Sequence, residues 1–339
     1  MSGRAIVRTT LLLLPMQLVF RAGEALLPLF LAMWFGRSDA TDVYQMAWAV
    51  FNFAGSLVFT IFQDSALVPI LAEVKLSIPR PRTGLPEPTR DTLAEVTGSI
   101  LAHTWLVGGA LSAVVGLLAL GFFSVRYQGD AWALSVQMVP IFCVFLVALS
   151  VKTFFAALLN ADHRYFAQPI ASSAGVVTNL LLVATLHDRF GVLSIAMGSL
   201  AGELVAISVL LFISLRWVGM RITPTLARPE PVIRFARLVA SEVGGSAVTR
   251  INPVVDQLMA GLAGVVGGAT LLRYSGDVAS LPTSLLQAAL LPVLLSHLSD
   301  DFVGGRLAKF RATVARSVLI VGAILLAGAL FIFLIREPL

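Results

Sequence analysis

Long apolar runs separated by short basic connections dominate this chain. A helix needs about 20 predominantly apolar residues to cross the hydrocarbon core of a bilayer. By that measure the pattern predicts about nine transmembrane helices. They are Ile6–Phe35, Val43–Leu71, Ser99–Phe123, Ala131–Leu159, Ala167–Leu186, Val192–Leu215, Phe235–Gly264, Gly268–Leu298 and Ala312–Ile335. Several are longer than needed, which predicts tilt, kinks or interfacial turns. Pro140, Pro169, Pro253, Pro282 and Pro292 fall inside or at the ends of these runs. Neighbouring helices can satisfy the carbonyls that such prolines free. Between the second and third runs, Lys75–Arg90 carries Pro79, Pro81, Pro86 and Pro88 and is predicted to be a loop.

Composition removes the soluble alternative. Of 339 residues, 58% are hydrophobic and 13% charged. A water-facing domain carries roughly twice that charged fraction. The fold class expected is therefore an all-α polytopic membrane protein. Cys143 is the single cysteine, which excludes a disulfide framework and any cysteine metal cluster. The basic residues sit in the connections rather than on one face, which argues against nucleic acid as a partner.

Those connections also predict orientation. With the N-terminus inside, fifteen Lys and Arg residues, from Arg4 to Arg311, fall on the cytoplasmic side. Only Arg37, Arg126, Arg189 and Arg336 fall on the other, a strong positive-inside bias. The C-terminus is then periplasmic. Arg4, Arg8 and Leu11–Phe20 follow the order of a signal peptide. The apolar run resumes beyond Arg21 with no small-residue cleavage site, so the segment is read as part of the first helix. The longest basic connection marks the expected division: residues 1–215 as an N-lobe of helices 1–6, 216–234 as a basic cytoplasmic linker, and 235–339 as a partial C-lobe of helices 7–9. A short internal repeat agrees. Arg8 and Arg21 have the same spacing as Arg237 and Arg250, and Ser65–Leu71 resembles Ala288–Leu294. Repeated halves around a central cavity are a common transporter design.

Charges within apolar runs carry the functional signal. A charge at the bilayer centre costs about 2.5–3.5 kcal/mol on insertion scales, so each needs a partner, a wet cavity or an interfacial position. Lys152, Glu203 and Arg316 are read as self-neutralising or snorkelling groups. Arg21, Arg250, Asp256 and the Arg273/Asp277 pair are read as lining a polar cavity, with Glu24 on the face of Arg21. Arginine suits a phosphate because its planar fork makes paired, charge-assisted hydrogen bonds. His103 and His163 each lack a second ligand at helical spacing, so no metal site is expected. There is no phosphate loop, zinc-protease helix or serine elbow, and the outer loops are a few residues long. The chain is not expected to be an enzyme.

Several motifs then occur in order. Phe35-Gly-x-x-x-Ala40-Thr41-Asp42-Val-Tyr precedes Asn52 and Ala66-Leu-Val-Pro69-Ile-Leu-Ala-Glu73. Leu158-Leu-Asn160-Ala, His163-Arg-Tyr-Phe, Pro169 and Asn179-Leu follow, then Gly202-Glu203, Arg250-Ile-Asn-x-x-x-Asp256, Tyr274, Leu281-Pro282 and Leu291-Pro292. Together they resemble the lipid II flippase (MurJ/MviN) family of the MOP exporter superfamily. The resemblance implies a MATE-like fold of two six-helix lobes plus two further helices around a cationic cavity. It also implies alternating-access transport of a polyprenyl-pyrophosphate-linked saccharide, a peptidoglycan precursor or related envelope glycan. Arg21, Asn52, Arg250 and Arg273 are the substrate-binding candidates. Glu24, Asp42, Asp256 and Asp277 are the gating or ion-linked candidates.

The chain departs from the family pattern at Leu27, Gly55 and Asp277, where the family has cavity arginines, and at Thr60, where it has an acidic residue. The family's sodium site pairs the acidic position of Asp256 with an eleventh helix. The sequence ends after the ninth expected helix, so a complete sodium site is not expected. Sodium or membrane-potential coupling stays open, and no other cofactor is expected. The same shortness raises two expectations: either the chain is a fragment, or it assembles with a second chain or copy supplying further helices. The alternative to transport is a scaffold or regulatory subunit of an envelope-polysaccharide machine.

Overall fold

The computed structural model describes residues 23, 26–60, 67, 70, 90–162, 164, 166–218, 224–277, 279–280 and 307–334. Every regular element among them is helical. In chain order these are α1 (Leu26–Phe35), α2 (Asp39–Gly55), α3 (Arg90–Arg126), α4 (Gly129–Ala161), α5 (Ala167–Phe190), α6 (Leu193–Ile213), α7 (Glu230–Leu262), α8 (268–277) and α9 (Leu307–Leu334). Single π-helical turns, Ser56–Thr60 and Ser214–Val218, extend α2 and α6. The chain forms two compact units, Met1–Thr270 and Leu271–Leu339.

Four of these helices, α3 to α6, are long and apolar enough to cross a membrane, which makes this a multi-pass membrane protein. Leu117, Leu118, Leu181 and Phe212 are exposed on them, an arrangement that lipid stabilises and water does not. α3 starts at Arg90, well ahead of the apolar run at Ser99, because its first turns are polar and face no hydrocarbon requirement. Most of the proline-rich loop expected at Lys75–Arg90 lies outside the described residues. α4 keeps its helix through Pro140 and α7 through Pro253.

α4 is the hub of the first unit. Two thirds of its apolar window (67%) is buried, against 22–39% for the other three helices. It packs on α2, α3 and α6. Against α2 it builds an aromatic seam in which Phe142 stacks on Phe51 at 5.6 Å and Phe145 lies 5.4 Å from Trp48. α5 and α6 form a tight hairpin of another kind. A Cβ added at Gly202 would lie 2.6 Å from the Gly175 carbonyl oxygen, and one at Gly175 would lie 2.7 Å from that of Gly202. Gly198 and Gly202 have the four-residue spacing that lets two membrane helices meet backbone to backbone. α1 joins this block where Trp34 stacks on His187 of α5 at 4.5 Å.

Of the charges expected to be self-neutralising or snorkelling, Lys152 and Glu203 pair with one another. Lys152 Nζ of α4 donates to Glu203 Oε1 of α6 at 2.6 Å. Pairing removes most of the reason for either charge to avoid the helix bundle.

Candidate functional site

The start of α2 is set by a capping box. The Ser38 hydroxyl accepts from the Thr41 backbone N–H at 3.2 Å, and the Ser38 N–H donates to Thr41 Oγ1 at 3.0 Å. This fixes the helical register and places Asp39 and Asp42 in the first turn, near the positive end of the helix dipole. Asp42 is 1% exposed. Its Oδ1 accepts from the Thr270 backbone N–H at 2.8 Å and the Thr270 hydroxyl at 2.7 Å. Thr270 lies in the first turn of α8, so Asp42 satisfies one of the amides that a helix start leaves free.

Two arginines reach the same α7–α8 turn. Arg126, at the end of α3, donates through Nε to the Gly261 carbonyl at 3.0 Å. Arg37, between α1 and α2, donates through Nε to the Val266 carbonyl. Glycine makes the Arg37 approach possible, and a second glycine makes room for Met46. Gly267 has a left-handed φ of 74°, and a Cβ there would collide with the aliphatic part of Arg37. A Cβ at Gly261 would collide with the Met46 sulfur of α2. The turn is braced from within by Gln257 Nε2, which donates to the Ala269 carbonyl at 2.6 Å.

Tyr127 lies beside this seat. Its ring carries the Arg126 guanidinium at 4.9 Å, while its buried hydroxyl finds no hydrogen-bond partner among the described residues. Its pKa is pushed up to about 12, first by burial and then by the Asp42 carboxylate, with Arg126 opposing and Asp39 adding a smaller rise.

The other candidates are placed as follows. Asp256 is exposed near the end of α7, and Asn52 is exposed on α2. Arg250 lies on α7, with its side chain outside the described residues. Arg21 and Glu24 also lie outside them. In the second unit, Arg273 Nε donates to Asp277 Oδ2 at 3.1 Å, the same-face pair that the i,i+4 spacing predicts. The structure therefore brings Asp42 to the α7–α8 turn in the company of Arg37, Arg126, Tyr127 and Thr270, which the sequence did not single out. One signal was available: Arg37 and Arg126 are two of the only four basic residues on the expected outer side.

The comparisons agree with this architecture. The family model for lipid II flippase MurJ matches residues 31–339. The lipid II flippase MurJ of Burkholderia cenocepacia is 27% identical over 316 residues, 90% of this chain and 59% of that protein. A solved lipid II flippase MurJ in an inward closed conformation matches with a TM-score of 0.68 at 18% identity, covering 86% of this chain and 59% of that one. An inward-facing multidrug resistance MATE family transporter of the MOP superfamily matches with a TM-score of 0.64 at 14% identity, covering 92% and 74%. These likenesses establish the MOP-type fold. The chain spans about three fifths of the length of the curated relatives it matches. With a match running from Leu31 to the last residue, the chain belongs to the lipid II flippase MurJ family, a family of transporters.

Proposed function

We propose that this protein moves a polyprenyl-pyrophosphate-linked saccharide of the peptidoglycan-precursor class across the bacterial inner membrane by alternating access. Its N-terminus is cytoplasmic and its C-terminus periplasmic, with residues 1–215 and 235–339 as the two lobes. Arg21, Asn52, Arg250 and Arg273 contact the pyrophosphate and its sugar. Glu24, Asp42, Asp256 and Asp277 serve gating or ion coupling. The chemistry is electrostatic: a pyrophosphate crossing a low-dielectric region needs fixed donors to replace its water.

The observation that carries this reading, beyond family membership, is the buried Asp42 on the α8 start. A carboxylate held by two hydrogen bonds at a helix start is a polar contact that water can replace when the two helices part. An alternating-access gate requires that property.

Vesicles with and without the protein, loaded with a fluorescent lipid-linked precursor, test the reading by leaflet-resolved accessibility. The expected result is protein-dependent transfer between leaflets that Arg273→Ala slows. Equal accessibility in both preparations would return the chain to the scaffold alternative.

A further inference from the structure

The positive-inside rule disfavours arginine at the outer end of a membrane protein. Yet Arg37 and Arg126 sit there on the proposed orientation, and each donates to a backbone carbonyl of the α7–α8 turn. Gly261 lies in the last turn of α7, whose final carbonyls have no partner within the helix and form the negative end of its dipole. A guanidinium is the favourable group at that position. Thr270 lies at the positive end of α8 and meets a carboxylate. One turn is thus held at both dipole ends by charges of opposite sign to each end, all supplied by the segment from Arg37 to Arg126.

We infer that Arg37 and Arg126 are gate-positioning residues that latch the outer end shut, and that the unpaired Tyr127 hydroxyl keeps this latch metastable. The inference rests on the alternating-access reading. Each fastener is the tip of a long side chain on a carbonyl at the bundle's end. When it lets go, water can take over the carbonyl, so release exposes no bare backbone group. Tyr127 acts in the opposite direction. Its hydroxyl is buried without a partner in the closed arrangement and regains one from water on opening. The closed state is therefore held by the arginines and Asp42 and weakened by Tyr127.

The test uses the full chain in membrane vesicles, with Cys143→Ser as background and Ala269→Cys as reporter. Ala269 is fully buried behind the turn. A membrane-impermeant maleimide applied from outside labels the thiol introduced at position 269 only when the outer end opens. Arg126→Gln and Arg37→Gln should each raise the labelling rate roughly tenfold, the size expected for losing one charged hydrogen bond. Arg126→Lys should stay near the parent rate, because an ammonium can still donate to the carbonyl. Tyr127→Phe should label more slowly than the parent, since it keeps the ring beneath Arg126 and removes the orphan hydroxyl.

A second reporter, Ala157→Cys, in the buried face of α4, should stay unlabelled throughout. Unchanged labelling of the Ala269→Cys reporter in both glutamine variants would overturn the inference. If a glutamine variant also exposes the Ala157→Cys reporter, its fold has loosened and Tyr127→Phe decides: slower labelling supports the latch, and an unchanged or faster rate overturns it. Labelling requires no lipid-linked substrate. A latch that behaves as described in a protein that fails the transfer assay would sink the flippase reading alone.

Discussion

The α4–α5–α6 block and the α7–α8 seat join helices by opposite means. In the block, Gly175 and Gly202 bring two backbones into direct contact, and Lys152 and Glu203 neutralise one another between α4 and α6. Nothing there separates without leaving a void or a bare charge in hydrocarbon. At the seat, Arg37, Arg126 and Asp42 fasten the turn through polar groups that water can replace, although the aliphatic part of Arg37 also lies against Gly267. The transport proposed for this chain needs both kinds of joint, one to keep a lobe rigid and one to let go.

Substitutions break this contrast in order of expected size. Gly202→Val drives a branched side chain into the Gly175 backbone, which cannot move aside, and should cost about 3 kcal/mol or more. Thermal unfolding in detergent should show the largest loss of stability of any variant considered. Lys152→Met leaves Glu203 as an unpaired buried carboxylate and should cost about 2 kcal/mol, below the figure for fully buried pairs because both groups retain some exposure. Adding Glu203→Leu should recover most of that loss. Failure of the double variant to recover would show that the pair does more than neutralise itself.

Asp42→Ala probes the other joint. It removes both hydrogen bonds to Thr270, worth about 1–2 kcal/mol, and should raise outer-end labelling while leaving the melting of the block nearly unchanged. A large fall in melting temperature would show that the seat is structural in the same sense as the block. The smallest effect is that of pH. Tyr127 has its pKa raised above the ordinary 10, so the stability linked to its neutral form is complete below about pH 10 and falls as pH rises towards 12. Closed-state labelling should not respond to Tyr127 ionisation near neutral pH. A Tyr127-dependent change there would contradict the buried neutral phenol.

Much of the fold was legible because lipid imposes a simple rule on sequence: every predicted span that meets described residues overlaps a helix there. The cost of a lone charge showed that Lys152 and Glu203 needed compensation but not that they pair with each other, whereas the Arg273/Asp277 pair was legible from its i,i+4 spacing. Asp42 was visible within its motif, but its partner was not. The seat's arginines act on backbone carbonyls, and a carbonyl has no signature in sequence. The early start of α3 was hidden for a related reason, since a polar turn beyond the membrane carries no apolar pattern. The small-residue contact between α5 and α6 was also readable in principle, because Gly198 and Gly202 stand four apart. Only the structure shows that Gly175 lies opposite.

The capping box at Ser38 holds the first turn of α2 in helical form, and that turn carries Asp42. Without the cap the first amides of the helix lose their acceptor and the turn frays. A frayed turn would no longer hold the Asp42 carboxylate where it accepts from Thr270. A hydroxyl pair at one helix terminus therefore braces the start of another, and changes at Ser38 or Thr41 would surface at α8.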